Sequence, residues 1–217
     1  MLRRARSLLT AKFTRKRLSA FLEAARTDEL ILEIGAKDAP YQHLFPNAIR
    51  GDISRTPELD TCLDAHHLPF PAAHFSTLLC TEVLEHCHDP QRVLDEFYRV
   101  LRPGGKLILT TRFIFPIHDA PHDYFRYTRF GLAHLCRHFT SVSIQTEAAS
   151  VETLGVLLQR LGYQATWKLP LQKIGLFIMA QLLFRSQWTI RDEYGDIEHK
   201  SRVESILASG YYVIAIK

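Results

Sequence analysis

The stretch from Glu29 to Tyr41, E-L-I-L-E-I-G-A-K-D-A-P-Y, constrains the fold more than any other. Its apolar run, Leu30 to Ile34, fits a buried strand and is too short for a helix of its own. Glu33 interrupts that run just before Gly35. A strand that ends in glycine and passes into small residues is how the first βα corner of a nucleotide-binding α/β sheet begins. The glycine there lets the backbone approach a ligand. The G-x-G-x-x-G spacing is absent, because Lys37 and Ala39 occupy the places of later glycines. An ordinary strand-to-loop turn around a buried, hydrogen-bonded Glu33 is the competing reading.

The residues that follow favour the ligand-binding corner. Ala48 to Ile53 has the character of a second strand and carries Asp52 at its carboxyl end, roughly 20 residues beyond the first strand. At that spacing nucleotide-binding sheets place a carboxylate on ribose hydroxyls. Two acceptor oxygens match two neighbouring hydroxyl donors. The alternative for Asp52 is a turn-former ahead of Ser54. Leu59 to Leu63 predicts a third short strand leading to Asp64, which at a strand end suits the exocyclic amine of a base. His66 and His67 follow it and read as loop residues. Phe75 to Thr81 predicts a fourth strand. Glu82 to Pro90 then holds His86, Cys87, His88 and Asp89 without the ligand spacing of a zinc site, so no metal is expected. Asp89-Pro90 opens a helix as N-cap and first-turn proline, with Val93, Leu94, Phe97, Val100 and Leu101 on one face. Lys106 to Thr111 predicts a fifth strand after the Pro103-Gly104-Gly105 stop. Phe130 to Arg137 predicts a helix, Ser141 to Thr146 a sixth strand and Gly210 to Lys217 a last one. Strands alternating with helices imply a mostly parallel sheet with right-handed crossovers.

Five words in register, I-L-E-I-G-A at 31–36, G-D-I at 51–53, D-A-x-x-L-P-F at 64–70, T-E-V-L-E-H at 81–86 and V-L-R-P-G-G-K-L at 100–107, resemble the class I S-adenosylmethionine-dependent methyltransferases, type 11. The resemblance covers about residues 28–147. It implies a Rossmann-like three-layer α/β sandwich with seven strands, the last antiparallel, and S-adenosylmethionine as cofactor. It also implies that Glu33 and Gly35 frame the amino-acid end of that cofactor and Asp52 holds the ribose. Asp64 and Ala65 would sit at the adenine, and Thr81 and Glu82 beside the methionine part. Lys37 departs from the family's glycine.

Arg112 to Thr128 follows the fifth strand, at the carboxyl edge of the sheet where open α/β folds bind ligands. It concentrates histidine, aspartate, tyrosine and arginine among prolines. The string F-x-x-P-x-H-x-x-P-x-D-Y-x-R-Y-T is similar to one in a bacterial branch of the family associated with glycan or lipid-linked saccharide pathways. Methyl transfer to a hydroxyl requires alignment of the acceptor and removal of its proton. His118 and His122 are the expected bases, with Tyr124, Arg126 and Tyr127 as acceptor contacts. The alternative is that these residues bond one another and only close a lid.

The flanks differ in composition. The chain has 217 residues and a net charge of +4, but residues 1–26 hold eight basic residues against Glu23 alone. The segment is therefore about +7 and the remainder about −3. Residues 1–26 read as a basic amphipathic helix, either packed on the domain or touching an anionic surface, and residues 27–217 as the methyltransferase domain. Within the domain, residues 150–209 form a helical insertion before the last strand. Its apolar part, 151–184, reads as a cap, a homodimer face or a peripheral membrane contact. Residues 185–209 read as polar connection, with Asp192 to Asp196 a loop. No aromatic-basic interleaving points to nucleic acid. Four cysteines without a C-x-x-C pair suit a reducing cytoplasm, at most peripheral to the inner face of its membrane. The acceptor class that the resemblance implies is a small molecule, a saccharide or a lipid-linked compound. A second reading, from another class, is a methyltransferase-fold protein that binds a ligand or partner without catalysis, for which Lys37 is the motive.

Overall fold

The computed structural model describes residues 12–37 and 41–217. Most of the predicted basic N-terminal segment, including Arg3, Arg4, Arg6, Leu8 and Leu9, lies outside the described residues, as do Asp38, Ala39 and Pro40 of the glycine corner. The chain divides into two compact units. One comprises the residues through Ala20 with Phe113–Pro116 and Thr146–Gly210, the other Phe21–Arg112, Ile117–Gln145 and Tyr211–Lys217.

The elements in chain order are α1 (Phe13–Ala24), β1 (Ile31–Ile34), β2 (Ala48–Asp52), β3 (Thr61–Cys62), β4 (Phe75–Thr81), α2 (Pro90–Val100), β5 (Leu101–Arg112), α3 (Arg129–Leu135), β6 (Ser141–Thr146), α4 (Ser150–Gln164), α5 (Pro170–Phe184), β7 (Glu193–Asp196), β8 (Ser201–Val203) and β9 (Gly210–Ile216). One seven-stranded sheet runs in the order β3-β2-β1-β4-β5-β9-β6. Strands β1 to β5 pair in parallel, with Ile31 opposite both Ala48 and Thr77. β9 runs against its neighbours. Lys217 exchanges backbone hydrogen bonds with Gly104 and Gly105 of β5 at 3.0 Å each, and Thr140 N donates to Ile216 O at 2.8 Å. This is the Rossmann-like methyltransferase sandwich, with the antiparallel strand in its expected place.

The strands form where the apolar runs lie. All of β1 is buried, and Leu78, Leu79 and Cys80 of β4 and Leu107, Ile108 and Leu109 of β5 have no exposed surface. Strands covered on both faces read as continuous apolar runs. Helix α2 starts as predicted: Asp89 Oδ1 accepts from Arg92 N at 3.2 Å, Pro90 takes the first turn, and Val93, Leu94, Phe97 and Val100 are buried. Its Arg99–Glu96 pair holds the Leu68–Phe70 loop, with Glu96 accepting from Leu68 N at 2.9 Å and Arg99 donating to Phe70 O at 2.8 Å. Of the predicted third strand, Thr61 and Cys62 form the ladder with β2, and Asp60 N and Leu63 N extend it with hydrogen bonds to Arg50 O and Asp52 O at 3.0 Å each.

In the other unit, Phe13 of α1 stacks on Phe184 of α5 at 4.0 Å, and Arg17 pairs with Glu152 of α4. Asp192 to Asp196, expected as loop, instead contributes β7, paired antiparallel with β8. The cause is Glu193, whose buried carboxylate accepts from Ser150 Oγ, from Ile206 N at 2.8 Å and from Gln187 Nε2 at 3.1 Å, and so anchors the hairpin. Among the described residues no helix is long and apolar enough to cross a membrane. The four cysteines are free thiols.

Candidate functional site

The chain passes from β1 out to β2 and β3, then returns to β4 on the other side of β1. At that reversal the carboxyl ends of adjacent strands diverge and leave a crevice. A cleft of about 240 Å³ lies there, lined by Gly35, Asp52, Asp64, Ala65, His66, Glu82, Val83, His86 and Cys87 together with Ile34, Ile53 and Leu63.

Each polar group arrives by a short route from a strand end. Gly35 has φ +78° and its N donates to Gly51 O at 2.9 Å. A Cβ built on Gly35 would lie 2.2 Å from Val83 Cγ2, so only glycine leaves that wall open. Asp52 ends β2. Its Oδ1 accepts from Ser54 N at 2.8 Å, so it is a turn-former and a cleft carboxylate at once. Asp64 Oδ1 accepts from His66 N at 2.9 Å and from His66 Nδ1 at 2.7 Å. Burial pushes the Asp64 carboxyl up, but those two hydrogen bonds and the nearby His66 and His88 outweigh it and hold it below the usual range. Because His66 Nε2 accepts from Asp89 N at 3.3 Å, its proton sits on Nδ1.

Glu82 lies in the left-handed region, φ +57°, which a residue with a side chain adopts only when its surroundings hold it there. Its N donates to Thr110 O at 3.0 Å, its Oε1 accepts from Thr110 Oγ1 at 2.8 Å, and its other oxygen pairs with Arg112. Cys87 donates to Val83 O, and burial pushes its thiol up to about 12, which leaves it no nucleophile near neutral pH.

Glu33 and Thr81 do not line the cleft. Glu33 is 2% exposed and lies opposite Arg50 across the β1–β2 ladder, with 3.7 Å between Oε2 and Nε. Burial raises its carboxyl to about 7 against the opposing pull of Arg50. Period-two alternation decides this: with both faces of β1 covered, a residue inside the strand meets the protein, while those just past the strand end meet the cleft.

The 117–128 segment forms a bonded cluster. Asp123, 3% exposed at its side chain, takes both terminal nitrogens of Arg126 at 2.6 Å and the backbone N of His118 at 3.0 Å. The Arg126 hydrogen bonds hold its carboxyl down at about 2, against burial. Tyr127 is buried and donates to Leu84 O at 2.9 Å, and burial raises its hydroxyl far above the usual range. Tyr124 and His122 are exposed, with 3.1 Å between the hydroxyl and Nδ1. His118 is half-buried. Burial lowers its pKa, the Asp123 charge opposes this, and His86 and Arg126 add to the lowering. None of His118, His122, Tyr124, Arg126 and Tyr127 lines the cleft. His86 does, and its ring packs edge-on against His118 at 4.7 Å. His66 and His86 are cleft residues that the sequence reading left out of the site. The available signal was position: His86 follows Glu82 by four residues on a single 3₁₀ turn, Leu84–His86.

A family model described as a methyltransferase domain matches residues 41–109. The tRNA U34 carboxymethyltransferase of Campylobacter curvus is 40% identical over 52 residues, 24% of this chain and 17% of that protein. A Mycolicibacterium smegmatis protein named "Probable S-adenosylmethionine-dependent methyltransferase" is 33% identical over 92 residues, 41% of this chain and 34% of that protein. The chain thus spans well under two thirds of the length of either relative. The Burkholderia thailandensis 1,6-didemethyltoxoflavin-N1-methyltransferase, solved with 1,6-didemethyltoxoflavin and S-adenosylhomocysteine, shares the fold. Its TM-score is 0.56 at 18% identity, over 99% of this chain and 83% of that one.

Proposed function

We propose that the chain, whose residues 41–109 match a methyltransferase-domain family model, is a class I S-adenosylmethionine-dependent methyltransferase that transfers the cofactor's methyl group to a small-molecule, saccharide or lipid-linked acceptor. The carrying observation is the cleft at the strand reversal, where Gly35 keeps one wall clear and two carboxylates, Asp52 and Asp64, stand at neighbouring strand ends. Those residues fit the cofactor. Asp52 suits the ribose hydroxyls, Asp64 with Ala65 the adenine end, and Gly35 with Glu82 the methionine end. Glu33 and Thr81 stand behind the lining and act on the cofactor only through it. When bound, the cofactor supplies a methyl carbon already activated by the sulfonium.

The acceptor side is the His86–His118 wall and the 117–128 segment behind it. His118, neutral near pH 7 by the lowering of its pKa, suits removal of an acceptor proton, and His122 with Tyr124 offers a second, exposed pair. Arg126 and Tyr127 are bonded into the protein and shape this wall. The bound 1,6-didemethyltoxoflavin of the Burkholderia enzyme supports the small-molecule class. A lipid-linked acceptor is favoured by α5, whose Leu171, Ile174, Ile178, Met179 and Leu182 are exposed, as is Trp188 beyond it. Residues 153–191 hold five basic residues and no acidic one, a charge pattern suited to an anionic headgroup layer.

Calorimetry with S-adenosylmethionine and S-adenosylhomocysteine tests the reading. Binding of both is expected, and binding of neither would leave a non-catalytic module. Flotation of the chain with anionic vesicles at low salt tests the lipid-linked acceptor, which fails if the protein stays with the lipid-free fraction.

A further inference from the structure

Glu85, His86 and His118 each bring one metal-capable atom to within 4.8 Å of the others. Glu85 has no exposed surface. Its Oε2 accepts from Thr111 Oγ1 at 2.7 Å, while its Oε1 has no hydrogen-bond partner and lies 3.9 Å from His118 Nε2. A buried carboxylate oxygen without a donor is costly, so a cluster that keeps one calls for a proton or a cation there.

Both histidines are set from behind. His86 Nδ1 donates to His122 O at 2.7 Å, which leaves the lone pair of the neutral ring on Nε2, 3.9 Å from Asp119 Oδ2. His118 Nδ1 faces Asp123 Oδ2 at 3.5 Å. A carbonyl or carboxylate behind each imidazole is how histidines are oriented at metal centres.

We propose that Glu85, His86 and His118 form a binding site for a divalent first-row transition-metal ion of the zinc class, with Asp119 near enough to add an oxygen. Two imidazoles and one carboxylate favour zinc or iron(II) over magnesium or calcium, which prefer all-oxygen shells. Around a tetrahedral ion with ligands at about 2.0–2.1 Å the donor atoms lie roughly 3.3 Å apart, so binding draws this cluster in by up to about 1.5 Å. His86 also lines the cleft, so the ion's open position is available to an acceptor oxygen or sulfur, whose proton the ion would make easier to lose to solvent; with the ion bound, His118 is a ligand and no longer the base. Only that last role rests on the methyl-transfer reading; the binding itself does not. Local spacing could not reveal the site, because His118 comes from a separate loop 32 residues after His86.

The test is titration of the untagged, chelator-treated chain with Co²⁺, read by visible d–d absorption, followed by displacement with Zn²⁺. One ion per chain is expected. Glu85→Gln, His86→Ala and His118→Ala should each weaken binding by about 100-fold or more, whereas His199→Ala, on the exposed β7–β8 hairpin, should leave it unchanged. Absence of binding at about 100 μM Co²⁺, far weaker than protein sites of this donor set hold such ions, overturns the proposal. So does equal binding by all three cluster variants. X-ray absorption on the zinc-loaded wild-type chain does not depend on any variant folding. A shell with two imidazole nitrogens supports the site, and a shell of sulfur or of oxygen alone overturns it. Calorimetry with S-adenosylhomocysteine on the same samples reads the methyl-transfer site separately.

Discussion

Asp52 ends β2, Gly35 and Asp64 sit a residue or two beyond β1 and β3, and all three face the cleft and make few bonds besides their own local turns. The 117–128 segment is built the other way. Asp123 and Tyr127 are buried, their polar atoms are committed to Arg126, His118 and Leu84, and the segment meets the cleft at His86, whose ring packs on His118 and whose Nδ1 donates to His122 O. A polar group at an exposed strand end is held for a ligand, so its removal costs binding. A polar group buried in a bonded cluster is held for the protein, so its removal costs stability.

Four substitutions or titrations sharpen that contrast, taken from the largest effect to the smallest. Gly35→Ala should be the most severe. Its Cβ would overlap Val83 Cγ2 at 2.2 Å on a backbone at φ +78°, with a cost of about 3 kcal/mol or more from strain and overpacking together. Calorimetry should find S-adenosylhomocysteine affinity lower by at least about 100-fold, the equivalent of that cost. Adding Val83→Ala should recover part of it, and no recovery would mean that backbone strain, not the clash, dominates.

Asp123→Ala should lower stability by about 2–4 kcal/mol, because it removes the carboxylate that takes both terminal nitrogens of Arg126 and the His118 backbone N. In a chain of this length that is a fall of roughly 5–10 °C in Tm. Cofactor affinity should change by less than about threefold if the contrast holds. Loss of affinity at unchanged Tm would place Asp123 with the cleft residues instead.

Glu33 supplies a pH test of a strand carboxylate that faces the protein. Its folded pKa, about 7, exceeds its ordinary value of 4.5. The folded form therefore binds the proton more tightly. That contribution is complete below pH 4.5 and is lost as pH rises through 7. Urea unfolding should show stability falling by up to about 3 kcal/mol between pH 5 and pH 8. Glu33→Gln should flatten that slope, and an unchanged slope would assign it to other groups.

Asp52→Ala should be the mildest for the fold and selective for the ligand. A lost charged hydrogen bond of about 1.5–3 kcal/mol weakens cofactor binding by roughly 10–100-fold. The Tm should move by less than about 2 °C, since only the Ser54 turn is disturbed.

Much of the α/β scaffold was legible because it rests on local pattern. The apolar runs of β1, β4 and β5, the Asp89-Pro90 start of α2 and the glycine corner each need only a few neighbouring residues to be recognised. Where a strand depends on a distant partner, the pattern was silent. The β7–β8 hairpin is read as loop because its anchor, Glu193, finds Ser150 some 43 residues away. Within the site, Gly35, Asp52, Asp64 and Ala65 were readable as positions at or shortly after the carboxyl ends of strands. Glu33 was drawn into the same set by its resemblance, yet the β1–β2 register turns it toward Arg50.

By itself the sequence determined the order of strands β1 to β6 and β9 with the helices between them, the glycine at the end of β1, and which acids stand at strand ends, since all of these are encoded within a turn or two of chain. Only the tertiary structure decided which of those acids reach the cleft, and that His86 and His118 come together over the buried Glu85. Burial and the convergence of side chains depend on how remote segments pack, and no local spacing carries that information.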